Sequence, residues 1–156
     1  MSAPSMQIRT LRYDDPAVRR LEEGLQAEYV QRYGGGDRTP VVVEEFDPPA
    51  GVFLVGAVGE DAVACGGFRA HGADAEIKRM YVPAQHRGHG YARAMLAALE
   101  AQARAAGYPR IILETGTAQP EAIALYEASG YLPIPGFGYY RGSPNNRCFG
   151  KELVAP

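Results

Sequence analysis

The stretch Gln85-His86-Arg87-Gly88-His89-Gly90-Tyr91-Ala92 sets two glycines and an arginine between a strand-like segment and the first turn of a long helix. Such a join leaves several backbone N–H groups without intrahelical partners. The helix dipole adds about half a positive charge at the same place. Gly88 and Gly90 carry no side chain to block close approach and accept left-handed backbone. Arg87 adds a planar donor fork suited to phosphate oxygens. The chemistry these residues suit is the holding of a phosphate or diphosphate. The plainer alternative is a tight strand-to-helix connection with no ligand. No Walker lysine follows the glycines, and Arg93 stands where a dinucleotide fingerprint needs its third glycine. His86 and His89 form H-x-x-H, but no third ligand stands near them, so no metal is expected.

The elements that must position this loop follow from periodicity. Gln7 to Arg12 reads as a strand. Asp15-Pro16 then supplies an N-cap and a proline in the first helical turn. Val18, Leu21, Leu25 and Tyr29 recur at helical spacing as far as Gly34-Gly35-Gly36. The segment to Pro49 is ambiguous, and VVVEEF fits either a short strand or a helical turn. Val52–Val58 and Ala62–Arg69 form a hairpin around Gly59-Glu60-Asp61. EIKRMYV, Glu76–Val82, has strand character yet carries Glu76, Lys78 and Arg79. After the loop a helix runs to about Ala106, with Gly107 as a natural C′ residue. Arg110–Thr115 is an apolar strand, Pro120 opens another helix, and Leu132–Phe137 and Arg147–Leu153 read as two last strands. A strand–helix–strand unit around the loop requires a parallel pair in an otherwise mixed α/β sheet.

At 156 residues, with 46% apolar and 22% charged residues, the chain fits one domain, expected over 6–156 with residues 1–5 as a disordered start. A net charge of −2 gives no bulk reason to expect nucleic acid or an anionic membrane as partner. No apolar run reaches membrane-span length, and the N-terminus lacks a signal peptide's apolar centre, so a cytoplasmic protein with Cys65 and Cys148 reduced is expected.

Gln85-His86-Arg87-Gly88-His89-Gly90, between EIKRMYV and a long helix, resembles the acetyl-CoA signature Q/R-x-x-G-x-G/A of the GNAT superfamily of N-acetyltransferases. Gln119-Pro120-Glu121-Ala122-Ile123-Ala124-Leu125-Tyr126-Glu127-Ala128-Ser129-Gly130-Tyr131 is similar to that family's N-x-x-A-x-x-L-Y-x-x-x-G-F/Y segment, with Gln119 in place of the usual asparagine. The resemblance implies a mostly antiparallel central sheet of about six or seven strands with one splayed parallel pair and about four flanking helices. It implies acetyl-CoA as co-substrate, the pantetheine arm along the backbone of Met80, Tyr81 and Val82. The diphosphate would lie on the amides of Arg87, Gly88, His89, Gly90, Tyr91 and Ala92, with side-chain help from Gln85 and Arg87 and a contact from Gln119. It makes Tyr126 the acid that protonates the departing thiolate, Glu76 the candidate base and Glu114 the reserve.

The same resemblance draws the acceptor wall from residues 34–49 and 133–146. There Glu44, Glu45 and Asp47 could attract a cationic amine, Tyr139 and Tyr140 could shape the rim, and Arg141 would suit a carboxylate. The C-terminal segment GYYRGSPNNRCFGKEL resembles small-molecule members of the family, so the expected reaction is acetyl transfer to a small primary amine such as an amino acid or polyamine. A coenzyme A-binding sensor without turnover and a protein N-acetyltransferase stand as the alternatives. A homodimer through edge strands is compatible with the sequence.

Overall fold

A computed structural model describes residues 5–154. Seven strands form one sheet in the order β1-β2-β3-β4-β5-β7-β6, where β1 is Gln7–Thr10, β2 Val52–Val58, β3 Asp61–His71, β4 Asp74–Tyr81, β5 Arg110–Gly116, β6 Leu132–Pro133 and β7 Asn146–Glu152. Every pairing is antiparallel except β4 with β5. Three α-helices accompany the described strands, α1 (Pro16–Tyr33), α2 (Tyr91–Ala105) and α3 (Pro120–Ala128), where about four were expected. The ambiguous VVVEEF supplies a short 3-10 turn, Val43–Phe46, and a second turn covers Ala84–His86. β6 is shorter than its apolar pattern suggested: it ends at Pro133, and after a last bond from Ile134 N to Cys148 O at 3.0 Å the chain leaves the sheet at Pro135-Gly136. The expected disordered start lies outside the described residues, apart from Ser5.

The helix ends follow local rules. The Asp15 carboxylate accepts from Ala17 N at 2.8 Å and caps α1, and Gly34 closes it with a left-handed φ of 79°. Strand alternation sends Val52 and Leu54 to one face of the sheet and Phe53 and Val55 to the other. The first face packs on α2 through Met95, Leu96 and Leu99, each contributing about 1.5–3 kcal/mol by burial. The second packs on α1 and the 3-10 turn through Val18, Leu21 and Phe46.

That alternation explains the charges of β4. Ala75 and Ile77 enter the core beside α2, so Glu76 and Lys78 must face the α1 side, where both are buried. The register then slips. Cys65 pairs with Tyr81 but Gly67 with Lys78, which puts one extra residue into β4. Arg79 absorbs it with φ +60°, a left-handed conformation costly for a residue with a Cβ. In consequence Lys78 and Arg79 both reach the α1 face. The parallel pairing of β4 with β5 also stops early, at Glu76 opposite Ile112, and the two strands separate beyond it.

Candidate active site

The separation of β4 from β5 opens two adjoining clefts. One, of about 400 Å³, runs from the glycine loop past Met80, Tyr81 and Val82 to Tyr126 and Ala122 of α3. The other, of about 530 Å³, lies between the end of α1, the 34–38 loop and the segment Tyr139–Asn146. They meet at Tyr29, Asp37, Lys78, Glu114, Thr115 and Gln119, which line both.

At the mouth of the first cleft, Gly88 and Gly90 take φ of +87° and +80°, and Gly90 is the N-cap of α2. An added Cβ would meet nothing within 4 Å at either glycine, so backbone conformation and not packing requires them. None of the backbone N–H groups from Gly88 to Arg93 has a partner among the described residues, and no side chain caps α2. Six free donors at the positive end of a helix dipole form an anion seat.

Most of the residues expected around a bound cofactor line this cleft: Met80, Tyr81, Val82, Arg87, Gly88, Gly90, Tyr91, Ala92 and Gln119. Gln85 and His89 do not, and His89 lies against the Tyr91 ring with centroids 5.4 Å apart. His86 and Arg93 line it instead, which the loop's spacing alone did not indicate. The Arg87 guanidinium is folded back, its Nε donating to the Val82 carbonyl at 2.9 Å and its other end to Glu28 on α1. Gln119 accepts from the Tyr33 hydroxyl at 3.0 Å.

Tyr126 is buried in the wall of the same cleft, its ring near Tyr131 and Phe149. Its hydroxyl makes no hydrogen bond to a described residue, and burial pushes its pKa up to about 12. It is a phenol throughout the physiological range.

The two carboxylates considered as bases have different surroundings. Glu76 is 1% exposed, accepts from Arg69 Nε at 3.0 Å and lines neither cleft. Its charge is spent inside the sheet. Glu114 lines both clefts. Its Oε2 accepts from Tyr140 N at 3.3 Å and Asn146 Nδ2 at 3.4 Å, while Oε1 is buried without a partner. Burial raises its pKa above the usual carboxylate range, only partly offset by Lys78. Gly138 closes over this carboxylate so tightly that an added Cβ would sit 2.3 Å from Oε1.

Lys78 stands at the junction, 7% exposed, with its nearest carboxylates at 3.9 Å (Asp37) and 4.0 Å (Glu76). Burial lowers its pKa despite both of them. Asp37 is also buried, which alone would raise its pKa; Lys78, Arg79 and the Thr39 donors hold it below the ordinary carboxylate value. Arg79 ties Asp37 to Glu22 of α1, with Nε 3.1 Å from the Glu22 carboxylate. Of the residues expected on the acceptor wall, Tyr139 and Tyr140 line the second cleft and Arg141 does not. Glu45 is held by Arg69 and Asp47 by Arg12, both away from the clefts.

The model of the acetyltransferase (GNAT) family matches residues 18–131. The IAA acetyltransferase of Azospirillum brasilense is 38% identical over 103 residues, 65% of this chain and 67% of that protein. The uncharacterized N-acetyltransferase YjgM of Escherichia coli (strain K12) is 30% identical over 141 residues, 85% and 84% of the two chains. Among solved structures, a Klebsiella pneumoniae protein assigned as an acyl-CoA N-acyltransferase superposes with a TM-score of 0.83 at 29% identity, covering 96% of this chain and 98% of its own. The PaiA N-acetyltransferase of Thermoplasma acidophilum, solved in complex with coenzyme A, shares the fold at a TM-score of 0.73 and 14% identity, with 95% and 99% covered. With seven strands in one mostly antiparallel sheet and a family match across most of its length, the chain belongs to the GNAT superfamily of N-acetyltransferases and is an acyltransferase.

Proposed function

We propose that this chain, acting as a single domain, transfers an acetyl group from acetyl-CoA to a primary amine of a small molecule, by direct attack within a ternary complex. The observation that carries the proposal is the row of free amides from Gly88 to Arg93 opening onto a cleft that ends at Tyr126 and Glu114. The diphosphate of coenzyme A fits the amide row, and its pantetheine arm fits the gap beside Met80–Val82. Arg87, in the loop itself, would exchange its Glu28 contact for a phosphate oxygen.

In this reading the acceptor enters by the larger cleft and meets the thioester at the junction. Glu114 takes the proton that the amine loses as it attacks; its raised pKa makes it a better base than an ordinary exposed carboxylate. We assign this role to Glu114 and not to Glu76, whose carboxylate is committed to Arg69. As the carbon–sulfur bond breaks, Tyr126 gives its phenolic proton to the departing sulfur. A phenol with no other hydrogen-bond partner is free to make that contact.

Titration calorimetry with acetyl-CoA, with ATP and NAD as controls, tests the binding half, and coenzyme A thiol release over an amine panel tests the chemical half. We expect binding of acetyl-CoA alone and thiol release that depends on an added amine. Binding without release for any amine would leave a coenzyme A sensor.

A further inference from the structure

We propose that the acceptor is an amino acid, or a similar compound with one amine and one carboxylate, its carboxylate held by Lys78 and its amine turned towards Glu114. The proposal rests on the acetyltransferase reading above and narrows it to one substrate class.

The argument begins with register. Glu76 and Ile112 are the last paired residues of β4 and β5, so Lys78 and Glu114, two further along each strand, project from the same face. In a continuous sheet they would be cross-strand neighbours and would neutralise each other. The separation of the strands prevents this, and they form no ion pair. Each lines both clefts. Lys78 is more than nine-tenths buried, and its Nζ makes no hydrogen bond to any described residue. Glu114 Oε1, buried beneath Gly138, has no donor, and Oε2 accepts only from the neutral Tyr140 N and Asn146 Nδ2, so the carboxylate has no cationic hydrogen-bond partner. Two opposite charges, buried and separated, are completed by a molecule that carries both charges in reverse order.

The other charges along the acceptor cleft favour the same class. Asp37 accepts from Thr39 N, Thr39 Oγ1 and Tyr140 Oη on Oδ1 and from Arg79 on Oδ2, with Lys78 Nζ 3.9 Å from Oδ2, so its charge already faces two cations. Glu45 and Glu76 are occupied by Arg69. A second ammonium, as in a polyamine, therefore finds no free carboxylate beyond Glu114. A carboxylate finds Lys78 and, at the exposed end of the cleft, the Arg38 guanidinium, which also makes no hydrogen bond to a described residue.

The test uses the full chain, saturating acetyl-CoA and thiol release, over matched sets: each proteinogenic amino acid, its carboxamide, its decarboxylated amine, and spermidine. We expect at least one amino acid to exceed its amine and carboxamide by about 10-fold or more in kcat/KM, the rejection expected when a buried charge loses its partner. Lys78→Gln should erase that preference by raising KM for the amino acid, with calorimetry reporting acetyl-CoA binding separately. Preference for spermidine or a bare amine, or turnover of no amino acid, overturns the proposal while acetyl-CoA binding keeps the acetyltransferase reading. Failure to bind acetyl-CoA overturns both. The wild-type series decides the matter even if the Lys78 variant does not fold.

Discussion

The glycine loop and the strand junction do opposite things with polar groups. From Gly88 to Arg93 the backbone leaves six donors free at the surface, where water satisfies them at little cost. At the junction the charged groups are mostly or wholly buried: Arg79 and Asp37 hold each other, Arg69 holds Glu76, and Lys78 lies 3.9–4.0 Å from Asp37 and Glu76 without a hydrogen bond. Removing a charge from water is expensive unless a partner is fixed beside it. The loop can therefore be built from local conformation, whereas the junction needs α1, two strands and the 34–39 loop all in place.

The comparison makes the junction the more fragile region, and the largest expected effect lies there. Arg79→Met would strand the Asp37 and Glu22 carboxylates. Breaking a buried pair costs about 3–5 kcal/mol, so urea unfolding should show a loss of that size. A loss under about 1 kcal/mol would mean that the cluster is not a structural tie.

Next in size is Tyr126→Phe. Losing a general acid should lower kcat by about 100-fold or more, measured by thiol release at saturating substrates. Because the hydroxyl makes no hydrogen bond to a described residue, stability and acetyl-CoA affinity should hardly change. Unchanged kcat would return Tyr126 to the role of a packed aromatic.

Substitution in the loop should do less. Gly90→Ala meets no steric obstacle but places a Cβ at φ +80°, at a cost of about 1–2 kcal/mol. The free loop can relax, so the cost should appear on binding, as a roughly 5- to 30-fold weaker acetyl-CoA Kd by calorimetry. A matching fall in melting temperature without a change in Kd would place the strain in the fold instead.

The smallest effect is a pH-dependent one. Burial raises the Glu114 pKa, so the folded protein holds that proton more tightly than the unfolded chain. Its contribution to stability is full at pH below the unfolded carboxylate value and fades as pH rises through the raised folded value. Glu114→Gln should therefore slightly raise the melting temperature at neutral pH, though it removes the proposed base. The acidic limb of the wild-type kcat/KM profile should lie above that of an ordinary carboxylate. A variant less stable at neutral pH would contradict this.

Much of the fold and of the glycine-loop cleft was legible in the residues themselves. Asp15-Pro16 marks the start of α1, Gly59-Glu60-Asp61 marks the β2–β3 hairpin, and Gly88 and Gly90 mark the loop, because each signal works over a few residues of backbone. The end of β6 was less legible, since a short apolar run fits more than one local structure. The figure of about four helices came from the family resemblance, whereas the residues themselves marked the three found among the described residues. A motif places a residue in the loop but does not say which way its side chain turns, so that Gln85 and His89 stand outside the cleft lining was not legible in the loop's spacing.

Sequence by itself determined the order of elements, the glycine loop at the mouth of α2 and the family to which the two motifs point. Only the tertiary structure decided which carboxylate is free. Glu76 and Glu114 are both charged residues in strands, and nothing local separates them. Arg69, reached across the β3–β4 pairing, occupies one, while the early parting of β4 from β5 leaves the other lining the clefts without an ion pair to Lys78. Burial and pairing are properties of neighbours distant in the chain, so the charge state and availability of a side chain are settled only when those neighbours meet.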